Sequence, residues 1–94
     1  MSIEHERDYD VLTGLYNRRA FDARAKKLFR MPEKLGHAAL LMMDMDNLKH
    51  INDTFGHDWG DRYINLAGQC FSQTLSPNTI CARMSGDEFI VLFY

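Results

Sequence analysis

Asp44 and Asp46 form a DxD motif at the end of an apolar run, and Asp87 and Glu88 stand side by side between two further apolar runs. In a strand over 38–45, period-two alternation points Asp44 and Asp46 the same way. Asp46 has an ordinary role open to it, as N-cap of a helix starting at 47. Asp44 has none, because it is still within the strand. A carboxylate there must be solvated, paired or bound to a metal, since a buried unpaired charge neutralises instead. Clustering of Asp44, Asp87 and Glu88, with no His or Cys among them, favours Mg²⁺ or Mn²⁺ over zinc. Two such ions among three carboxylates, beside Lys49, suit in-line phosphoryl or nucleotidyl transfer.

The charge distribution marks the same region. Residues 44–61 hold five Asp against Lys49 alone, whereas residues 18–34 hold seven Lys or Arg against Asp22 and Glu33. Concentrated Asp is self-repelling unless the side chains cap helices or meet a cation. The basic block lacks interleaved aromatic residues, so it reads as a solvated helix face and not as a nucleic-acid surface.

The elements that must position these residues follow from pattern. Residues 1–9 read as a linker or the end of a preceding helix, and DVLTGLYN (10–17) is turn-rich. Asn17 is placed to cap a helix over 18–30 whose buried stripe is Phe21, Ala25, Leu28 and Phe29. The continuous apolar run 38–45 predicts a central strand covered on both faces. A short helix over 47–54 ends at Gly56. A second, over 59–75, buries Ile64, Ala67, Gly68, Phe71 and Leu75, and a hairpin closes the chain over 79–94. A strand that crosses over through helices to a second strand lands parallel to it. If the last strand inserts between those two, the layout is half of a ferredoxin-like α+β sandwich. That layout puts the carboxyl end of strand 38–45 and the hairpin tip at one sheet edge, with Asp44 facing Asp87 and Glu88.

Ninety-four residues make one small domain. Hydrophobic residues are 46% and charged residues 26%, the balance of a soluble globular chain. No apolar run approaches the ~20 residues of a bilayer span, and the first ten residues lack a secretion-signal pattern. Cys70 and Cys81 form no CxxC or disulfide framework, so a reducing cytoplasm is expected, with no direct membrane contact.

Three stretches, DVLTGLYNRRAF (10–21), LLMMDMDNLKHINDTFGHDWGD (40–61) and ARMSGDEF (82–89), resemble successive motifs of the GGDEF family, the diguanylate cyclases. The resemblance runs from residue 8 nearly to the end, in matching order and spacing. It implies a ferredoxin-like, palm-type α+β domain over 10–94. It also implies condensation of two GTP into cyclic di-GMP with release of pyrophosphate, in a face-to-face dimer of two such domains. Each half-site would carry two Mg²⁺ or Mn²⁺. Asp44 would bind metal through its carboxylate and Met45 through its carbonyl. Asp87 would bind metal and draw the proton from the attacking hydroxyl, and Glu88 would assist with metal or orientation. Asn52 and Asp61 match the guanine readers, in keeping with a carboxylate's capacity to accept from guanine N1–H and N2–H. His57 would lie near the base or ribose, Leu48 near the sugar, and Lys49 with the backbone N–H groups of 45–49 at the triphosphate. Gly86 would let the hairpin backbone approach the nucleotide. Arg18 and Arg19 would brace the preceding loop.

Three departures bear on these expectations. Ser85 stands where the family usually has its first Gly. The RxxD of product-inhibited cyclases would fall at positions 76 and 79, which are Ser76 and Thr79, so no product-inhibition site is expected. The family also continues past the signature strand with a further helix, strand and basic pair. The chain therefore reads as the N-terminal portion of the domain, truncated after the signature hairpin and expected to be inactive alone. A sensory or regulatory domain is expected in the parent protein. A non-catalytic GTP-binding regulatory module is the alternative reading.

Overall fold

The computed structural model describes residues 7–34, 36–74 and 76–94. Arg7 and Asp8 are helical, and Tyr9 bridges to Tyr16 across the 10–17 turn. Asp10 organises that turn: its carboxylate accepts the Thr13 N–H at 2.9 Å and the Thr13 hydroxyl at 2.8 Å. Gly14 follows at φ 75°, a left-handed conformation that suits a residue without Cβ.

Asn17 caps helix α1 (Arg18–Phe29), its Oδ1 accepting the Ala20 N–H at 2.9 Å, as its residue type predicts. Arg19 reaches back to Asp8 at 3.4 Å, a brace on the preceding segment. The helix buries Ala20, Phe21, Ala25 and Leu28. Phe29, expected on that stripe, is 62% exposed. Eight residues past Phe21 the helix has turned about 80° too far, so Phe29 falls on the rim.

A 3₁₀ turn at Pro32–Lys34 leads to strand β1 (Ala39–Asp44). Helices α2 (Leu48–Phe55) and α3 (His57–Thr74) follow, then strands β2 (Thr79–Ser85) and β3 (Glu88–Phe93). The sheet order is β1-β3-β2, with β3 antiparallel to both neighbours, so β1 and β2 run parallel as the crossover argument requires. Alternation along the strands splits the core between two faces. Ile80, Ala82, Ile90 and Leu92 pack with Phe21, Ala25 and Leu28 of α1. Cys81, Phe89 and Val91 pack with Leu15, Leu48 and Ile64 on the other face. Burial pushes the Cys81 thiol from 9.0 up to about 11, so it stays neutral and behaves as a small apolar side chain.

Three expectations need correction. Strand 38–45 is not covered on both faces within the described residues: β1 pairs with β3 alone, the edge place that insertion of the last strand between the other two implies, and Leu40, Leu41 and Met42 are 59%, 47% and 58% exposed. An apolar run records that a strand can be covered, not which segment covers it. The short helix starts at Leu48, and its N-cap is Asn47, not Asp46. Asn47 takes φ 65°, a conformation that asparagine tolerates better than other β-substituted residues, and makes no side-chain cap bond. The third concerns α3, which begins at His57 and not at 59, and which buries Ile64 and Gly68 with Ala67 and Phe71 half-buried. Leu75 lies outside the described residues. Among the described residues no helix is long and apolar enough to cross a membrane.

Gly68 fixes how closely α3 approaches the 10–17 turn. A β-carbon there would stand 2.6 Å from Thr13 Cβ and 3.2 Å from its Cα. Thr13 cannot retreat without losing its two bonds to Asp10. Gly68→Ala is therefore expected to destabilise by about 2 kcal/mol despite alanine's better helix propensity. A thermal melt checks this: the expected Tm falls by about 8–16 °C.

Candidate functional site

The carboxyl end of β1 and the β2–β3 tip meet at one sheet edge. Asp44 is the register partner of Glu88. One residue on, the Met45 N–H donates to the Asp87 carbonyl at 2.9 Å. Directly opposed residues of an antiparallel pair carry their side chains on the same face, with Cβ atoms about 4.5–5.5 Å apart. Asp44 and Glu88 are thus like charges placed opposite each other, an arrangement that is destabilising by itself. Among the described residues neither carboxylate has an ion pair or a side-chain hydrogen bond, and nor does that of Asp87.

The backbone brings all three acids to this edge without closing them into a ready-made ligand set. Among the described residues no three His, Cys, Asp or Glu side chains come close enough to hold a metal ion. The donors available are all oxygens: the carboxylates of Asp44, Asp87 and Glu88, and the Met45 carbonyl. That set fits a hard divalent cation and not a thiophilic one.

A bulge shapes the tip. Arg83 pairs with Phe89 but Ser85 pairs with Glu88, which leaves Met84 as the extra residue on β2. Gly86 and Asp87 form the two-residue turn between the strands. A β-carbon at Gly86 would meet nothing within 4 Å, and its φ is not left-handed. The fold itself therefore does not require glycine at 86, and any steric demand for it comes from outside the chain.

In the first turn of α2, Lys49 pairs with Asp53 at 3.1 Å, both side chains largely exposed at 91% and 64%. The backbone N–H groups of 45–49 are not all free, because that of Met45 is taken by Asp87. Leu48 is buried with Leu15, Ile64 and Phe89, so its side chain lies in the core and not at the surface. His57 is exposed as the first residue of α3.

Asn52 on α2 packs against Gly60 on α3, where a β-carbon would overlap Asn52 Oδ1. That oxygen is buried and has no hydrogen-bond partner. An orphaned buried acceptor costs about 1–3 kcal/mol, so its presence calls for an explanation. Asp61, the next residue after Gly60, is exposed and lines a groove of about 380 Å³ with Leu12 and Asn65. Asn52 thus packs on Gly60, while Asp61, the next residue, turns to a groove shared with Leu12 and Asn65. Asn52 stands on α2 and Asp61 on α3.

Two residues at the carboxylate edge are not marked as functional by motif reasoning. Arg83 forks onto the Gly86 carbonyl through Nε at 3.1 Å and Nη2 at 2.9 Å, and its Nη1 reaches Asp10 Oδ1 at 3.1 Å. The usable signal was its place as the lone cation in an otherwise uncharged strand, two residues before the tip. Asp10 reads only as a turn residue, because its partner lies 73 positions away.

Residues 7–94 match the family described as "Diguanylate cyclase, GGDEF domain". The chain is 41% identical over 86 residues to YhcK of Bacillus subtilis, an uncharacterized protein, covering 89% of this chain and 24% of YhcK. It is 38% identical over 84 residues to the diguanylate cyclase DgcP of Escherichia coli, covering 88% of this chain and 25% of DgcP. Among solved structures, the coiled coil and GGDEF domain of DgcB from Caulobacter crescentus, in complex with c-di-GMP, superposes with a TM-score of 0.87 at 32% identity. That match covers 97% of this chain and 48% of the DgcB chain. The chain therefore spans about a quarter of these two relatives and about half of that solved structure.

Proposed function

This chain belongs to the GGDEF family, and on that premise we propose that it supplies the metal-facing and guanine-facing part of a diguanylate cyclase domain. The reaction joins two GTP molecules into cyclic di-GMP and releases two pyrophosphates, with two domains meeting face to face. The observation that carries this reading is the register of Asp44 opposite Glu88, locked by the Met45–Asp87 bond. It explains why a chain would hold unpaired like charges together: they are arranged for a cation and a bound triphosphate.

Asp44, Asp87, Glu88 and the Met45 carbonyl would hold Mg²⁺ or Mn²⁺. When bound, the metal neutralises phosphate charge and lowers the pKa of the attacking 3′-hydroxyl. Asp87 takes the proton from that hydroxyl, and Glu88 keeps the acidic tip oriented. Lys49 leaves Asp53 to meet the triphosphate, at small cost, since an exposed pair of this kind is worth about 0–1 kcal/mol. The N-terminal N–H groups of α2, which no side chain caps, face the same anion. Gly86 admits the nucleotide at the tip, and His57 lies beside the base or ribose. Leu48 acts from the core, supporting the loop beneath the sugar.

Asn52 and Asp61 read guanine. Asp61 accepts from N1–H and N2–H, and the Asn52 amide, in the position it holds against Gly60, donates N–H to the acceptor edge. Asp61→Ala is expected to weaken GTP binding about 10- to 100-fold through the loss of charge-assisted hydrogen bonds, with the Mg²⁺ requirement unchanged. Calorimetric titration with GTP across Mg²⁺ concentrations checks both parts.

The test of the function itself is incubation with GTP and Mg²⁺, of the chain alone and of the longer polypeptide carrying the whole domain. Cyclic di-GMP from the longer form supports the reading. A GTP-dependent rise in Tm with no product from either form identifies a regulatory GTP-binding module instead.

A further inference from the structure

Two consecutive carbonyls at the hairpin tip are held from opposite sides. Gly86 O accepts two N–H groups of the Arg83 guanidinium, at 3.1 and 2.9 Å. Asp87 O accepts the Met45 N–H at 2.9 Å. The peptide units on either side of the Asp87 Cα are therefore both fixed, and Asp87 has little freedom to change its direction. The Met45 bond continues the β1–β3 pairing one residue past its last register pair, Asp44 with Glu88. The Arg83 bonds come from a side chain, next to the bulge at Met84.

Arg83 is itself aimed. Its third contact is Asp10, at 3.1 Å to Oδ1 and 3.4 Å to Oδ2. Asp10 in turn is held by Thr13, and the Arg83 N–H donates to the Tyr16 carbonyl at 3.0 Å. The Arg83 and Asp10 side chains are only 17% and 19% exposed, against 53% and 37% for Arg19–Asp8. Solvent screens the Arg83–Asp10 pair far less. A planar guanidinium can serve a carbonyl and a carboxylate at once, which an ammonium cannot.

We infer that Arg83 is a positioning residue: clamped by Asp10, it sets the backbone at Gly86–Asp87 and so the direction of the Asp87 carboxylate. The site would thereby be tied to the 10–17 turn, and a displacement of that turn would reach Asp87 through one side chain. The kinetic consequence rests on the proposed cyclase function. The structural consequence does not.

The experiment pairs two readouts on Arg83→Gln, Arg83→Lys and Asp10→Asn. The first is amide hydrogen exchange followed by NMR. Met45 N–H is the reporter, because its acceptor is the tip carbonyl on a different strand from the mutation. Residues 89–92 of the central strand are the control. In Arg83→Gln, Met45 exchange is expected to rise at least about tenfold while the control amides stay within about twofold. Arg83→Lys gives an intermediate rise. Asp10→Asn, whose remaining oxygen can keep the Thr13 bonds, gives a smaller rise of the same pattern and serves if Arg83→Gln fails to fold.

The second readout is steady-state kinetics on the longer polypeptide. Misdirecting Asp87 without touching GTP is expected to lower kcat about 10²-fold with KM nearly unchanged. Unchanged Met45 exchange overturns the inference, as does a rise shared equally by residues 89–92. Faster Met45 exchange with an unchanged kcat overturns the positioning role. If the wild-type protein makes no cyclic di-GMP, the functional reading fails, and the exchange result still decides whether Arg83 holds the tip.

Discussion

Asp87→Asn is expected to reduce cyclic di-GMP formation at least about 10³-fold in the domain-complete polypeptide and to leave its Tm unchanged or slightly higher. The rate loss follows from chemistry at one atom pair. An amide can neither accept the proton of the attacking hydroxyl nor offer anionic oxygen to a divalent cation. General base catalysis alone contributes about 10²–10⁴-fold, and loss of charge stabilisation adds to that. The stability effect has the opposite sign to that of most substitutions. Among the described residues, Asp87 makes no side-chain bond that asparagine would forfeit, and it adjoins Glu88, itself opposite Asp44. Removing one negative charge from that edge relieves repulsion in the metal-free protein. Product quantification beside a melt without metal measures both. Product within tenfold of wild type would remove Asp87 from the mechanism. A large fall in Tm would mean that the tip acids hold the fold together.

Gly60→Ala is expected to weaken GTP binding about 10- to 100-fold and to shrink the preference for GTP over ATP. The reason is steric. A β-carbon at 60 would overlap Asn52 Oδ1, and the amide must turn away from the buried position it holds against Gly60. The loss expected is that of one or two hydrogen bonds to the base, about 1.5–3 kcal/mol. Stability should change little, since alanine's helix propensity offsets the repacking and the overlapping atom is the end of a side chain, not backbone. Calorimetry with GTP and ATP makes the comparison. Equal loss for both nucleotides would show that Asn52 does not read the base.

The sequence made the supporting frame legible where one local rule acts without competition. Asn17 caps α1 because a short polar side chain precedes an amphipathic run. The strand order follows from crossover geometry, and with it the meeting of Asp44 and Glu88 at one edge. Membership in the family rests on three motifs in order, which composition alone could not supply. Where two rules compete, sequence reasoning loses resolution. Asp46 and Asn47 can both cap a helix, and the choice of Asn47 depends on its tolerance of a left-handed backbone. Phe29 fits the stripe by type but drifts off it by angle. The Met45 N–H is expected among the phosphate donors, yet the Asp87 carbonyl takes it, one residue past the last β1–β3 pair. The Arg83–Asp10 clamp was invisible because no periodicity links residues 73 positions apart. Gly60 likewise has no local signature, since its reason is a side chain on the neighbouring helix.

In the proposed function a divalent cation is held with a triphosphate between the end of β1 and the β2–β3 tip. Paramagnetic line broadening tests it most directly, with Mn²⁺ added to the isotopically labelled domain in the presence of a non-hydrolysable GTP analogue. Selective loss of the amide signals of 44–46 and 86–88 is expected, with those of α1 untouched. Broadening centred instead on Asp58 and Asp61, or spread evenly over the acidic surface, would contradict it.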